Sequence, residues 1–326
     1  MWTVAAVAIA AIAVLVYERR ETTSPVSLQA AASPRISIER LTTSGNTIDS
    51  AISVDGAYLA HVEAVSNRQT LWVRDLKAGQ DRLLVPEGRY AFYGVKMSND
   101  GRDVYYTVRG VGFGSGRLYA IAREGGEPRL VLNGIVTPVT FAPDGRQLAF
   151  YREQYPDQES SALMIAGSDG KRERILATRH APEAFTPGIF VAASWSPDGR
   201  TIAASIRNRR ANTATLIAFD AASGQARDLL SLAHDISHTL WLPDGSGIVY
   251  VRRTFVNLGS DNSQLWLKPF PDGPPQPITS DLLDRSRSEA RGGCLITQLA
   301  VVHARRALHH LHVIRLERAV DMADSR

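Results

Sequence analysis

The chain has 326 residues, 44% of them hydrophobic and 21% charged, enough to bury one large core or two ordinary ones. Aromatics at 7% and 25 glycines exclude a disordered or collagen-like chain, and the single cysteine, Cys294, excludes an internal disulfide framework and any CxxC zinc or redox site. The net charge of +4 sits in residues 285–326, where eight arginines face Glu289, Glu317, Asp321 and Asp324, so the main body is neutral and a nucleic-acid partner is excluded for it.

Residues 2–17 read WTVAAVAIAAIAVLVY, sixteen residues without a charge. As a helix they span about 24 Å, a little less than the hydrocarbon core of a bilayer. No basic residue precedes the run and no small-residue cleavage site follows closely, which argues against a cleaved signal peptide. A single transmembrane anchor over residues 1–17 is expected. Glu18-Arg19-Arg20 alone would hold the following residues in the cytoplasm. An upstream cytoplasmic domain would reset that orientation, and a slightly short run beginning at Met1 suggests missing upstream sequence. Residues 18–34, rich in Thr, Ser, Ala and Pro, suit a linker.

The body is a repeat. An Asp-Gly turn recurs as SVDG, SNDG, APDG, SPDG and LPDG, with the aspartates at 55, 100, 144, 198 and 244. An apolar, β-rich run follows each one: AYLAHV, DVYYTV, QLAFY, TIAASI and GIVYV. A second run starts 16 to 21 residues after the Asp, as in LWVRDL and LWLKPF; a further tight turn and a fourth run such as DRLLV close the unit. Glycine in a tight turn between β-rich runs signals a hairpin. Each unit of about 45 residues thus holds four antiparallel strands, A to D. Radial repetition of such units gives an all-β, β-propeller fold.

The ends suggest closure. RISIERLTTSG, from Arg35, reads as an orphan strand D, expected to pair beside the strand at His309–Leu316 and complete a sixth blade. Blades one to five with the closing strand are expected over residues 35–284. Residues 285–326 stay open between a degenerate sixth blade and a non-native tail read in a shifted frame.

These residues resemble the WD-like repeats of TolB-type propellers. The stretch LTTSGNTIDSAISVDGAYLAHV with TLWVRDL resembles the extracytoplasmic propeller of bacterial membrane-anchored serine/threonine kinases; membrane-spanning winged-helix regulators carry similar propellers. In both, a cytoplasmic domain precedes the span. The resemblance implies a membrane-tethered sensor or protein-interaction propeller outside the cytoplasm, non-catalytic in itself and without a cofactor. The alternatives are a periplasmic propeller enzyme, lyase or peptidase-associated, and an envelope-complex scaffold.

The sequence has no G-x-S-x-G, no phosphate-binding P-loop and no kinase catalytic loop. His234 and His238 have the spacing of a helical zinc motif, but they fall on the expected link between blades four and five, so metal binding there is a weak candidate and a polar loop the main reading. Asp-Gly and C–D turns share one end of the propeller. Long B–C and D–A loops share the other, where ligands of such scaffolds bind. An arginine ends strand B in four units: Arg109, Arg152, Arg207 and Arg252. They form either inter-blade ion pairs or a ring for an acidic ligand or peptide carboxylate. The D–A loops add Tyr90, Phe92, Tyr93 and His180 as candidate contacts for a protein, peptide or small ligand. Trp72, Trp195, Trp241 and Trp266 are expected to pack blades.

Overall fold

The computed structural model describes residues 41–278, apart from 42–43, 45, 67, 111–115, 136, 186–192, 234 and 258–259, and apart from the side chains of 253–263. The expected anchor and linker, the sixth blade and nearly all of the closing strand lie outside the described residues. Among the described residues no helix is long and apolar enough to cross a membrane.

Every Asp-Gly closes a hairpin between strands A and B. Gly56, Gly101, Gly145, Gly199 and Gly245 all sit near φ +70°, a conformation that a Cβ disfavours. In each turn the glycine amide donates to the carbonyl three residues back, at 2.8–2.9 Å. Where that residue is serine, its hydroxyl adds bonds: Ser196 Oγ donates to Asp198 at 2.5 Å and accepts the Thr201 amide at 2.9 Å. Ser53 and Ser98 do the same with Asp55 and Asp100.

The described residues form five blades, each of sequential antiparallel strands A-B-C-D. Blade one is β1 Thr47–Ile52, β2 Tyr58–Val65, β3 Arg68–Asp75 and β4 Gln80–Val85. Blade two is β5 Tyr90–Met97, β6 Asp103–Gly110, β7 Gly116–Ala122 and β8 Arg129–Ile135. Blade three is β9 Thr140–Phe141, β10 Gln147–Glu153, β11 Ser160–Gly167 and β12 Arg174–His180. Blade four has a split strand A, β13 Glu183–Phe185 and β14 Ser194–Trp195, both paired to β15 Thr201–Asn208, then β16 Thr213–Asp220 and β17 Ala226–Leu232. Blade five is β18 Asp235–Trp241, β19 Gly247–Asn257, β20 Ser260–Pro269 and β21 Gln276–Pro277.

Burial lies between blades. One apolar cluster joins blades one and two through Leu71, Val73, Phe92 and Tyr106. Others join two and three through Leu118 and Phe150, three and four through Tyr151, Leu163, Phe185 and Phe219, and four and five through Leu216, Trp241 and Tyr250. Of the four tryptophans expected to pack blades, Trp195 and Trp241 are buried in these clusters. Polar side chains tie the inner strands. Asp49 Oδ2 accepts the Val95 amide at 2.7 Å, Ser161 Oγ the Phe185 amide at 2.9 Å, and Ser194 Oγ the Trp241 amide at 3.0 Å. Burial pushes the Asp49 carboxyl up to about 8, against the pull of the Lys96 ammonium and its amide donors, Val95 and Ser50.

The outer strands share an irregularity that the repeat pattern does not announce. Besides Gly134, which β8 skips on its own, one residue is skipped in the pairing of each of β4, β8, β12 and β17 to strand C: Leu84, Val131, Leu176 and Leu229. These β-bulges fall at equivalent positions in four blades. Each places two consecutive apolar residues against the core, as with Leu84 and Val85 or Val131 and Leu132.

Candidate functional site

The strand pattern puts the B–C and D–A loops at one end of the propeller. A cleft of about 520 Å³ opens there at the junction of blades two, three and four. Its walls come from the β10–β11 loop (Glu153, Gln154 and Gln158 to Ser161), from the β12–β13 segment (Ala181 to Phe185), and from Arg109 and Arg209. Gln154 has φ +51°, a left-handed conformation uncommon outside glycine, which turns the β10–β11 loop at the cleft wall. Phe185 forms a closed apolar floor: it is 1% exposed and stacks on Tyr151 with ring centroids 5.2 Å apart.

The charges of the cleft are mixed. Glu183 lies 3.8 Å from Arg179. Glu153 and Glu159 are exposed carboxylates at the rim. The Arg209 amide donates to Pro182 O at 2.9 Å, fixing the chain that carries its guanidinium. The arrangement offers donors and acceptors of both signs around an apolar floor, the composition of a pocket that orients a polar ligand. Among the described residues no group of three or more His, Cys, Asp or Glu is placed to hold a metal ion.

The residues singled out in the sequence take several positions. Arg109 lines the cleft, its guanidinium 5.0 Å from the centre of the Tyr93 ring. Tyr93 is the residue skipped in the pairing of β5 to β6. Arg152 is engaged by Glu173 at 2.6 Å and donates to Asn133 O at 2.9 Å, across the blade boundary. Arg207 makes an inter-blade ion pair with Asp235 at 2.6 Å. Arg252 lies 5.2 Å from the Trp266 ring centre, and β19 runs on to Asn257. Strand B of blade five therefore does not end at Arg252, as its spacing predicts; the hairpin continues.

Tyr90 donates to Pro86 O and packs edge-on against Phe92. Phe92 itself is 1% exposed and belongs to the core between blades one and two, so the alternation of the strand, not the loop face, claims it. His180 ends β12, with Nδ1 2.7 Å from Ser160 Oγ. His234 lies outside the described residues. His238 is not on a link but within β18, where it is the skipped residue of a bulge with φ +49°. The sequence gives no sign of Ser160, Asp157 or Arg209 as site residues: Asp157 and Ser160 meet His180 only when β12 returns beside β11, and Arg209 reaches the cleft from blade four.

No family model matches the chain. A TolB structure from Agrobacterium tumefaciens superposes with a TM-score of 0.54 at 18% identity, covering 72% of this chain and 80% of that one. The fold is that of a TolB-like β-propeller. Oligogalacturonate lyase from Vibrio parahaemolyticus superposes with a TM-score of 0.55 at 16% identity, covering 76% and 70% of the two chains. At these identities the likeness concerns the fold. In sequence, the chain is 31% identical over 129 residues to the uncharacterized peptidase YuxL of Bacillus subtilis (strain 168). That match takes in 39% of this chain and 18% of the length of YuxL. This likeness to a protein named as a peptidase counts against the expectation of a propeller that is non-catalytic in itself.

Proposed function

We propose that the chain is the substrate-handling propeller of a peptidase-type enzyme, and that the cleft on the long-loop end receives a peptide segment. The cleft carries this reading. A peptide backbone alternates donors and acceptors and has termini of opposite charge. The wall offers Arg109 and Arg209 on one hand and Glu153 and Glu159 on the other, over the Phe185 floor. Its volume falls in the usual range for ligand pockets, roughly 300–1,000 Å³. The sequence likeness to a protein named as a peptidase supports the same class. With no G-x-S-x-G motif in the sequence, the role given to the propeller is to select and orient the peptide. The apolar run at residues 2–17 supports a membrane tether for the propeller.

Isothermal titration calorimetry with tri-alanine tests the proposal. Saturable binding is expected, weakened about five- to tenfold in Arg209→Ala and in Glu159→Ala, the loss of one charge-assisted contact each. Absence of saturable binding, or equal affinity in wild type and both variants, would sink the reading.

A further inference from the structure

Behind the cleft wall, and reaching it at Ser160, runs a chain of three hydrogen-bonding groups that no sequence motif marks. Ser160 opens β11 and is 4% exposed; its Oγ lies 2.6 Å from Asp157 Oδ1 and 2.7 Å from His180 Nδ1. A serine hydroxyl carries one proton and can donate it to only one of these partners. Asp157 decides which. Its Oδ1 also accepts the Glu159 amide at 3.0 Å, and the Ser160 hydroxyl, first among several contacts, holds this carboxyl below the usual carboxylate range. An ionised oxygen at 2.6 Å from a hydroxyl oxygen requires the proton between them. Ser160 therefore donates to Asp157. The second contact forms when His180 Nδ1 carries a proton and donates it to Ser160 Oγ. In a neutral imidazole the other nitrogen, Nε2, is then an acceptor.

We propose that Asp157 and Ser160 are positioning residues that lock neutral His180 in its Nδ1–H form, so that Nε2 accepts a hydrogen bond from an N–H or O–H of the ligand at the cleft rim. The proposal rests on the peptide reading above. Ser160, the partner of His180, and Ala181, its chain neighbour, both line the cleft. The imidazole is exposed, and no protein group among the described residues bonds its Nε2. The order differs from that of a nucleophilic triad, where histidine stands between serine and acid. Here the buried serine stands in the middle and its proton faces a carboxylate, so it is not activated for attack. The histidine is the group presented to the ligand, and it selects a hydrogen-bond donor over a carboxylate.

Long-range proton–nitrogen correlation NMR on protein labelled with 15N-histidine tests this, the His180 signals being assigned by their loss in His180→Asn. With the ring neutral, wild type is expected to show a protonated Nδ1 and an unprotonated Nε2. Asp157→Ala frees the Ser160 proton to donate to Nδ1 and is expected to move the ring proton to Nε2. Tri-alanine is expected to shift the Nε2 resonance. Its affinity should fall about tenfold in His180→Asn, which keeps a donor near Ser160 and has no atom in place of Nε2. A wild-type ring protonated on Nε2, or an unchanged tautomer in Asp157→Ala, overturns the relay. Bound tri-alanine that leaves Nε2 unmoved overturns its ligand role. If calorimetry shows no saturable binding of tri-alanine, the peptide reading fails instead, and the tautomer measurements still decide the relay.

Discussion

Ser196 shows how a single hydroxyl serves a turn twice, bonding Asp198 as donor and the Thr201 amide as acceptor. This serine and its equivalents lower the pKa values of Asp55, Asp100 and Asp198: the Ser hydroxyl comes first among the causes holding each carboxyl below its ordinary value. The sign follows from linkage. A carboxyl with a depressed folded pKa contributes stability above its unfolded value, near pH 4, and loses it as pH falls through the folded value. Urea midpoints are therefore expected to decline below about pH 4. Ser196→Ala removes both bonds and leaves the half-buried Thr201 amide short of one acceptor, a change expected to destabilise by about 1–2 kcal/mol at neutral pH. Equal urea midpoints for wild type and variant would show the hydroxyl to be dispensable. The Asp-Gly turns are legible in sequence because their geometry is local. The His180 relay is not, since Asp157 and Ser160 are ordinary loop residues until β12 returns beside β11.

At the level of strands, the repeat reads out the order A to D but not the bulges. A bulge inserts one residue without changing the apolar character of the run, so RLLV in blade one and RLVL in blade two look like simple strands. The pairing reveals Leu84 and Val131 as the extra residues. The register argument makes a test. Strand side chains alternate, so removing one residue turns all that follow to the opposite face. Deleting Leu176 is expected to turn Ala177 and the residues of β12 that follow it to the opposite face, and to abolish folding as judged by proteolysis. Leu176→Ala, which keeps the register and loses only volume, is expected to cost about 2–5 kcal/mol and still fold. Equal resistance of the deletion and the parent to protease would remove the bulge from the determinants of the blade.

Across the whole propeller, the apolar clusters belong to pairs of blades rather than to single blades. Phe219 of blade four is fully buried, 5.8 Å from the Phe185 ring, which in turn stacks on Tyr151 of blade three. Blades that share their cores should unfold together. Phe219→Ala is expected to lower stability by about 3–5 kcal/mol and to move circular dichroism and tryptophan fluorescence transitions by the same amount. Two separated transitions would mean that blades melt singly. The fold class was legible because five turns recur in register, whereas the cleft was not, because its walls come from three blades.

The kinked outer strands bear on solubility and on the choice of partners. A straight terminal strand offers a continuous row of amide and carbonyl groups to any chain in extended form, the first step toward fibrous assembly. On this propeller that row is interrupted near its middle in four successive blades. Leu83, Leu130 and Ile175 remain exposed there, so the perimeter is sticky in composition but broken in backbone geometry. The outer strands of blades one to four thus carry apolar side chains without presenting a straight template for strand addition.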